Sequence, residues 1–390
     1  MGSVPIDSAL IDRLLRTSLV QPRAAEDRTM IKGHYKAACS DFIVEEELGF
    51  EPNGSGEHLF VYVEKEGLTT LEAADLLARA ASVSSRGIGY SGMKDKQAIT
   101  RQWFSLPTND DPDVSQLASS LVHSKRLEIL TTTRNSKKLR IGSHKQNHFQ
   151  ITLRKLQREE DGEGAATSAS TAEVIESRLD VLSRSGFPNY FGPQRFGYQG
   201  RNVYKAVEHL NNPRKRLKPK QRGLYISSLR SALFNHVLSE RVANQTWLNP
   251  MLGEALMLSG SHSVFGYAGE NADDIHHRLA SFDISTTGPL VGAGDSPIEG
   301  DCQQFESEVL TPYQSVCEAL VIDNILASRR ALRVAVQSLD YRWLTQDDLL
   351  LSFKLPPGSY ASMLIHHLSD GIIAAESNCF SDNKAGAGHQ

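Results

Sequence analysis

The stretch Gly87-Ile-Gly-Tyr-Ser-Gly-Met-Lys-Asp-Lys-Gln-Ala-Ile-Thr-Arg-Gln-Trp-Phe-Ser-Leu106 admits two folds. Gly87, Gly89 and Gly92 satisfy G-x-G-x-x-G, the phosphate-cradling turn of a dinucleotide-binding βαβ unit. That unit needs a hydrophobic strand before the turn and a helix after it. Here Ala-Ser-Val-Ser-Ser-Arg precedes the turn, and Ile99 to Leu106 follows it with the pattern of a strand. The doubly wound fold is therefore set aside, and a nicotinamide or flavin cofactor with it. What remains is a glycine-flanked turn that places one carboxylate, Asp95, between Lys94 and Lys96. Glycines allow close backbone approach, and neighbouring ammonium groups favour the ionised carboxylate. If the turn is extended, alternate side chains point apart. Asp95 is then expected to face a pocket while the two lysines face a polyanion.

The chain of 390 residues is long enough for two or three domains with a sizeable core. Its hydrophobic and charged contents, 40% and 23%, are those of a globular protein, and no apolar run reaches membrane-span length. Met1 to Arg13 lacks the basic and apolar regions of a signal peptide. Cys39, Cys302, Cys317 and Cys379 are scattered, without C-x-x-C, which fits a reducing cytosol and neither structural zinc nor a disulfide framework. The adjacent pairs His276-His277 and His366-His367 diverge on a helix and are not expected to bind metal. With a formal net charge of −4, any nucleic-acid contact must rest on local patches. Two stand out: Arg214, Lys215, Arg216, Lys218, Lys220 and Arg222, and then Lys137, Lys138, Arg140 and Lys145 with His144 and His148.

Periodicity outlines the elements. Phe42 to Glu46 reads as a short strand, and the run Glu45-Glu46-Glu47 as a solvated edge. Leu59, Val61 and Val63 alternate with Phe60 and Tyr62, a strand buried on both faces. Thr69 and Glu72 form a capping box that opens a helix with Leu71, Ala74 and Ala78 on one side. Phe149, Ile151 and Leu153 mark a half-buried strand. Asp161 to Glu173 reads as a low-complexity loop, and a helix carrying Ile175, Leu179 and Leu182 follows, capped by Gly186. Ser227 to Val242 is helical, residues 245 to 300 irregular, and Leu320 to Val336 helical. Leu349 to Leu355 alternates as a strand, Tyr360 to Leu368 is a helix, and Ser381 to Gln390 a polar, disordered tail.

Ordered along this chain are Asp41-Phe-Ile-Val-Glu-Glu-Glu-Leu-Gly-Phe-Glu-Pro-Asn-Gly-Ser-Gly-Glu-His58, Gly92-Met-Lys-Asp-Lys-Gln-Ala98 and Asn147-His-Phe149. Phe187-Pro-Asn-Tyr-Phe-Gly-Pro-Gln-Arg-Phe-Gly197, Arg230-Ser-Ala-Leu-Phe-Asn-His236 and Gly358-Ser-Tyr-Ala-Ser362 continue the series. Each motif alone is weak; in this order, the set resembles the TruD family of tRNA pseudouridine synthases. The resemblance implies an α+β fold: a mixed, mainly antiparallel sheet with flanking helices, carrying an inserted family-specific domain. The insertion is expected at residues 192–334, leaving 1–191 and 335–390 as a discontinuous catalytic domain. The implied activity converts uridine, usually at position 13 in the D-arm, to pseudouridine in tRNA. The implied enzyme has tRNA as partner and uses neither metal nor cofactor; a cytoplasmic protein without membrane association is expected from the composition, and the sequence leaves the oligomeric state open, with a monomer the expectation.

Carried over by motif, the catalytic residue is Asp95. Phe42, Asn147 and Phe149 line the uridine pocket, with Lys94 beside the catalytic turn. Asn147 and Phe149 are two apart on a strand and share a face, setting an amide beside an aromatic ring. Tyr360 stands where the family motif has a stacking phenylalanine, and its added hydroxyl needs a partner if buried. The family also pairs its aspartate with a basic residue, which the sequence does not identify. The run Arg214, Lys215, Arg216 and Lys218 is expected to hold the tRNA backbone. An ionised carboxylate can add to a sugar or base carbon, or remove the C2′ proton to form a glycal, and the residues do not choose between these. A second reading, an RNA-binding or RNA-folding protein with secondary or lost catalysis, is disfavoured by the intact Asp95 and its flanks.

Overall fold

The computed structural model describes residues 6–24, 29–109, 126–159 and 169–375. They divide into two compact units. A sheet unit draws on Thr29–Ile175, Val336–Gly358 and the stretch from Ser369; a helical unit draws on residues up to Arg28, Glu176–Ala335 and Ser359–Leu368. The insertion expected at 192–334 falls inside the helical unit, which also takes in residues 176–191 and the helices Ser8–Val20 and Ala361–Leu368. The last ten residues and 161–168 lie outside the described residues, whereas Thr171 to Glu173 already belong to the helix Thr171–Ser185.

The sheet unit is built on a ten-stranded mixed sheet. Its first seven strands are β1 (Ile31–Tyr35), β2 (Phe42–Leu48), β3 (His58–Glu66), β4 (Gly89–Tyr90), β5 (Ile99–Pro107), β6 (Arg126–Asn135) and β7 (His144–Arg158). The central order runs from the strand Gln337–Trp343 through Leu349–Leu355, β7, β2, β5 and β3 to β6. Every neighbour in that row is antiparallel except β2 with β5. β3 is buried on both sides at Leu59, Phe60 and Val61, as its unbroken apolar run requires.

The helix Thr70–Ala80 covers this sheet, its start fixed by the Thr69–Glu72 capping box. It packs Ala73, Ala74, Leu77 and Ala78 against Leu59, Val61, Val63, Phe104, Leu106 and Leu127. Leu71 does not join them: the helix turns it outward, 52% exposed. The face that is buried runs through positions 70, 73, 74, 77 and 78, and Leu71 lies off that stripe.

In the helical unit, the helix Pro219–Ala243 is buried on all sides from Ile226 onward. Residues 245–300, expected to be irregular, hold strands Glu254–Leu258 and Val264–Tyr267 and the helix Ala272–Ala280. Leu320 to Val336 is not one helix. The helix Gln314–Ile322 ends where Asn324 turns left-handed at φ 54°, and Ser328–Ala331 pairs as a strand with Thr287–Leu290. Arg329 fixes that strand by forking onto the Glu306 carboxylate at 2.6 and 2.8 Å.

Leu77→Ala is expected to cost about 2–5 kcal/mol in chemical denaturation, as for a buried leucine cavity. Leu71→Ala should change stability by no more than about 0.5 kcal/mol. Equal losses would show that the helix buries a different face.

Candidate active site

Asp95 sits in the turn between β4 and β5, and its side chain is 55% exposed. The backbone of that turn is pinned at three points. The Gln102 amide donates to the Gly92 carbonyl at 3.2 Å. The Lys94 N–H donates to Thr70 Oγ1 at 2.8 Å, and that hydroxyl donates to Gln102 Oε1 at 2.9 Å. The Lys65 ammonium reaches through the core to donate to the Asp95 carbonyl at 3.0 Å and the Leu68 carbonyl at 2.6 Å. Lys65, Thr70 and Gln102 are fully buried, so these bonds are shielded from water.

The side-chain partner of Asp95 is neither flanking lysine. Lys36, one residue beyond β1 and held at φ 63°, donates to Asp95 Oδ2 at 2.7 Å. Its ammonium also lies 4.1 Å from the centre of the Phe42 ring, a cation–π contact. Among the described residues Asp95 Oδ1 has no hydrogen-bond partner. Beside this pair, burial and then the charge of Asp95 push the Tyr35 phenol up, so it stays protonated.

The expectation that the flanking lysines face a polyanion is not met at Lys94. Lys94 turns inward, its side chain 6% exposed, and forms an ion pair with the fully buried Glu46 at 2.9 Å. The same ammonium donates to Asn147 Oδ1 at 2.7 Å. Lys96 lies 4.0 Å from the Glu72 carboxylate. Nor is Glu45-Glu46-Glu47 a solvated edge, because β2 lies inside the sheet between β7 and β5. Glu45 accepts from the Tyr62 hydroxyl, Glu46 meets Lys94, and Glu47 binds Gln146 and Lys354. Beside Lys94, burial and then the lysine charge push His144 down, leaving its imidazole neutral near pH 7.

The structure therefore brings Asp95, Lys94, Phe42, Asn147 and Phe149 into one unit. Phe42 and Phe149 pack edge to face at 6.1 Å, and Phe149 stacks on Phe353 at 5.4 Å. Both are buried, so they support the site as packed rings rather than as an open platform. Tyr360 belongs to the helical unit, where its ring meets Phe191 edge-on at 6.2 Å. Arg214, Lys215, Arg216 and Lys218 are exposed there too, between the helices Arg201–Asn211 and Pro219–Ala243. Lys215 pairs with Glu208 at 2.5 Å. The structure adds Lys36, Lys65, Glu46, Thr70 and Gln102 to the residues read from sequence. The last four could be found there as polar residues amid buried apolar ones; Lys36 carries no such signal. No cluster of metal-ligating side chains occurs among the described residues.

Comparison with known proteins bears on this arrangement. The family model of tRNA pseudouridine synthase D (TruD) matches residues 24–210 and 200–368. A tRNA pseudouridine synthase D of Pseudomonas entomophila is 38% identical over 365 residues, covering 92% of this chain and 97% of its own. That of Aeromonas hydrophila is 38% identical over 340 residues, covering 86% and 90%. A crystal structure from Methanosarcina mazei, described as tRNA pseudouridine synthase D, superposes with a TM-score of 0.66 at 20% identity, covering 91% of this chain and 97% of its own. The last likeness shows the fold.

Burial holds the Lys65 amine down to about 8, against about 10.4 for a free lysine. Between those values the unfolded chain binds a proton that the folded chain has lost, so the Lys65 contribution to stability rises with pH. In urea titrations from about pH 8 to about pH 10, the stability difference between wild type and Lys65→Met should shift in favour of the wild type. A flat or falling difference would mean that Lys65 keeps its proton throughout.

Proposed function

Because the chain belongs to the TruD family and is a tRNA pseudouridine synthase, isomerising uridine to pseudouridine in tRNA, we propose that Asp95 is its catalytic carboxylate. The target we propose is position 13 of the D-arm. The observation that carries the assignment is the 2.7 Å pair of Lys36 with Asp95 Oδ2 on a carboxylate still half open to solvent. The Lys36 ammonium holds Oδ2, and the other oxygen is left to react. The nearby carboxylate of Glu46, on β2, is not available, since it is sealed in its pair with Lys94.

The chemistry asks for little more. The N1–C1′ bond breaks with its electron pair passing to the uracil, the base turns, and C5 bonds to C1′. The C5 proton is lost and N1 gains one, so atoms and electrons balance without an electron carrier. Asp95 Oδ1 either forms a bond to a carbon that breaks again when C5 joins C1′, or takes the C2′ proton and returns it at that step; both need it deprotonated. The uridine must leave its stack at a cost of roughly a few kcal/mol. Asn147 offsets part of that cost by hydrogen-bonding the base edge, with Phe42 and Phe149 packed behind it. Tyr360 keeps the ring that the family motif uses for stacking. The sheet unit is the catalytic domain, and Arg214, Lys215, Arg216 and Lys218 contact tRNA phosphates.

Asp95→Asn should lower pseudouridine formation in tRNA transcripts by about 1,000-fold or more while tRNA binding persists. Lys36→Met should lower kcat by about 100-fold with little change in KM. Conversion mapped to a site other than 13, or retained by Asp95→Asn, would overturn the corresponding part of the proposal. Neutralising Arg214, Lys215, Arg216 and Lys218 together should weaken tRNA binding and flatten its salt dependence by about one unit of slope for each phosphate no longer neutralised. An unchanged slope would remove that run from the interface.

A further inference from the structure

Glu46 on β2 and Asn147 on β7 are directly opposite in the antiparallel ladder, so their side chains share one face. The Lys94 ammonium enters between them from the catalytic turn, 2.9 Å from Glu46 Oε2 and 2.7 Å from Asn147 Oδ1. An ammonium has donors and no acceptor. The amide atom that faces it must therefore be oxygen. The NH2 group of Asn147 is forced to the other side, where among the described residues it meets no acceptor.

We propose that Glu46 and Lys94 are positioning residues: they lock the Asn147 amide so that it presents N–H to a carbonyl oxygen of the uracil ring. This rests on the reading of Asn147 as a contact to the target base. Lys94 thus acts through Asn147 and not on the substrate or on Asp95. The role of Glu46 is to keep the ammonium in place, because a cation in this buried setting needs a counter-charge. The lock also explains why a carboxylate is sealed from solvent on a strand whose other inward residues, Phe42 and Val44, are apolar. A free amide could turn over and offer its oxygen to the uracil carbonyl, acceptor against acceptor. A fixed one cannot.

The test is a double-mutant cycle of Lys94→Met with Asn147→Ala, read as single-turnover pseudouridine formation, beside thermal stability. Each single variant should lose about 100-fold in rate, and the double variant should lose no more than the worse single one. Asn147→Asp keeps the shape and the bond to Lys94 but turns an oxygen to the base, and should lose as much as Asn147→Ala. Lys94→Met strands the Glu46 carboxylate and is expected to destabilise the fold, so Glu46→Met/Lys94→Met supplies an apolar pair in its place. That variant should regain thermal stability without regaining rate. Wild-type rate in the apolar pair, with Asn147→Ala still impaired, would make the ion pair merely structural and overturn the lock. Additive losses in the cycle would overturn it too. Full activity in Asn147→Ala would instead overturn the reading of Asn147 as a base contact, and the lock would fall with it.

Discussion

A slip of one residue between β2 and β7 would turn Glu46 and Asn147 to opposite faces of the sheet and empty the site. The register that prevents it runs from Phe42 opposite Ile151 to Leu48 opposite His144. One side chain makes it costly to change. Arg154 on β7 holds Asp41, the residue just before β2, through Nη2 at 2.6 Å and Nε at 3.0 Å, and its other arm reaches Asp348 at 2.9 Å. Asp41 is 1% exposed. Moving the ladder by one step would strand that carboxylate, a loss of about 3–5 kcal/mol for a broken buried pair. The edge contact of Phe42 with Phe149 adds a packing constraint in the same direction.

With the register set, the lysines sort themselves by how much each carboxylate needs one. Lys94 and Lys96 flank Asp95 in sequence, yet Lys94 goes to Glu46. Glu46 is fully buried and has no solvent to fall back on, whereas Asp95 is half exposed and can be hydrated. The stronger demand wins the nearer ammonium. Asp95 then takes Lys36, which arrives from the end of β1 by way of a left-handed backbone position. Lys65 adds no charge partner for the carboxylate. It holds the Asp95 carbonyl, so the turn is fixed from behind while the carboxylate stays open in front.

The fold was legible where periodicity and burial agree. The β3 run, the capping box at Thr69 and the alternation at Leu349 to Leu355 all stand as the residue pattern predicts. It failed where long-range pairing overrode local preference. Ser328–Ala331 lies in a stretch that reads as helix, but Thr287–Leu290 and the Glu306 carboxylate claim it. At the candidate site, Asp95 and Asn147 were singled out through their motifs. The polar residues behind them had a subtler signal: each continues an apolar face. Lys65 follows Leu59, Val61 and Val63 in step of two; Gln102 precedes Phe104 and Leu106; Glu46 follows Phe42 and Val44. A polar residue where the period calls for an apolar one is buried with a partner that only the fold supplies. Lys36 breaks no period, and only the meeting of the β1 end with the Asp95 turn reveals it.

Gly89 of the false dinucleotide motif has a different task, one that ties the Asp95 turn to a second basic loop. A Cβ on Gly89 would stand 2.4 Å from the Leu139 carbonyl and 2.4 Å from Ser105 Oγ. That space is needed because the Leu139 N–H donates to Ser105 Oγ at 3.0 Å. Three residues on, the Gly142 N–H donates to the Ser91 carbonyl at 2.7 Å. The loop bearing the exposed Lys137, Lys138 and Arg140 is thereby fastened to the residues that lead into Asp95. Glycine here serves backbone packing and not a pyrophosphate. Its effect is to hold three cationic side chains in a fixed relation to the Asp95 carboxylate.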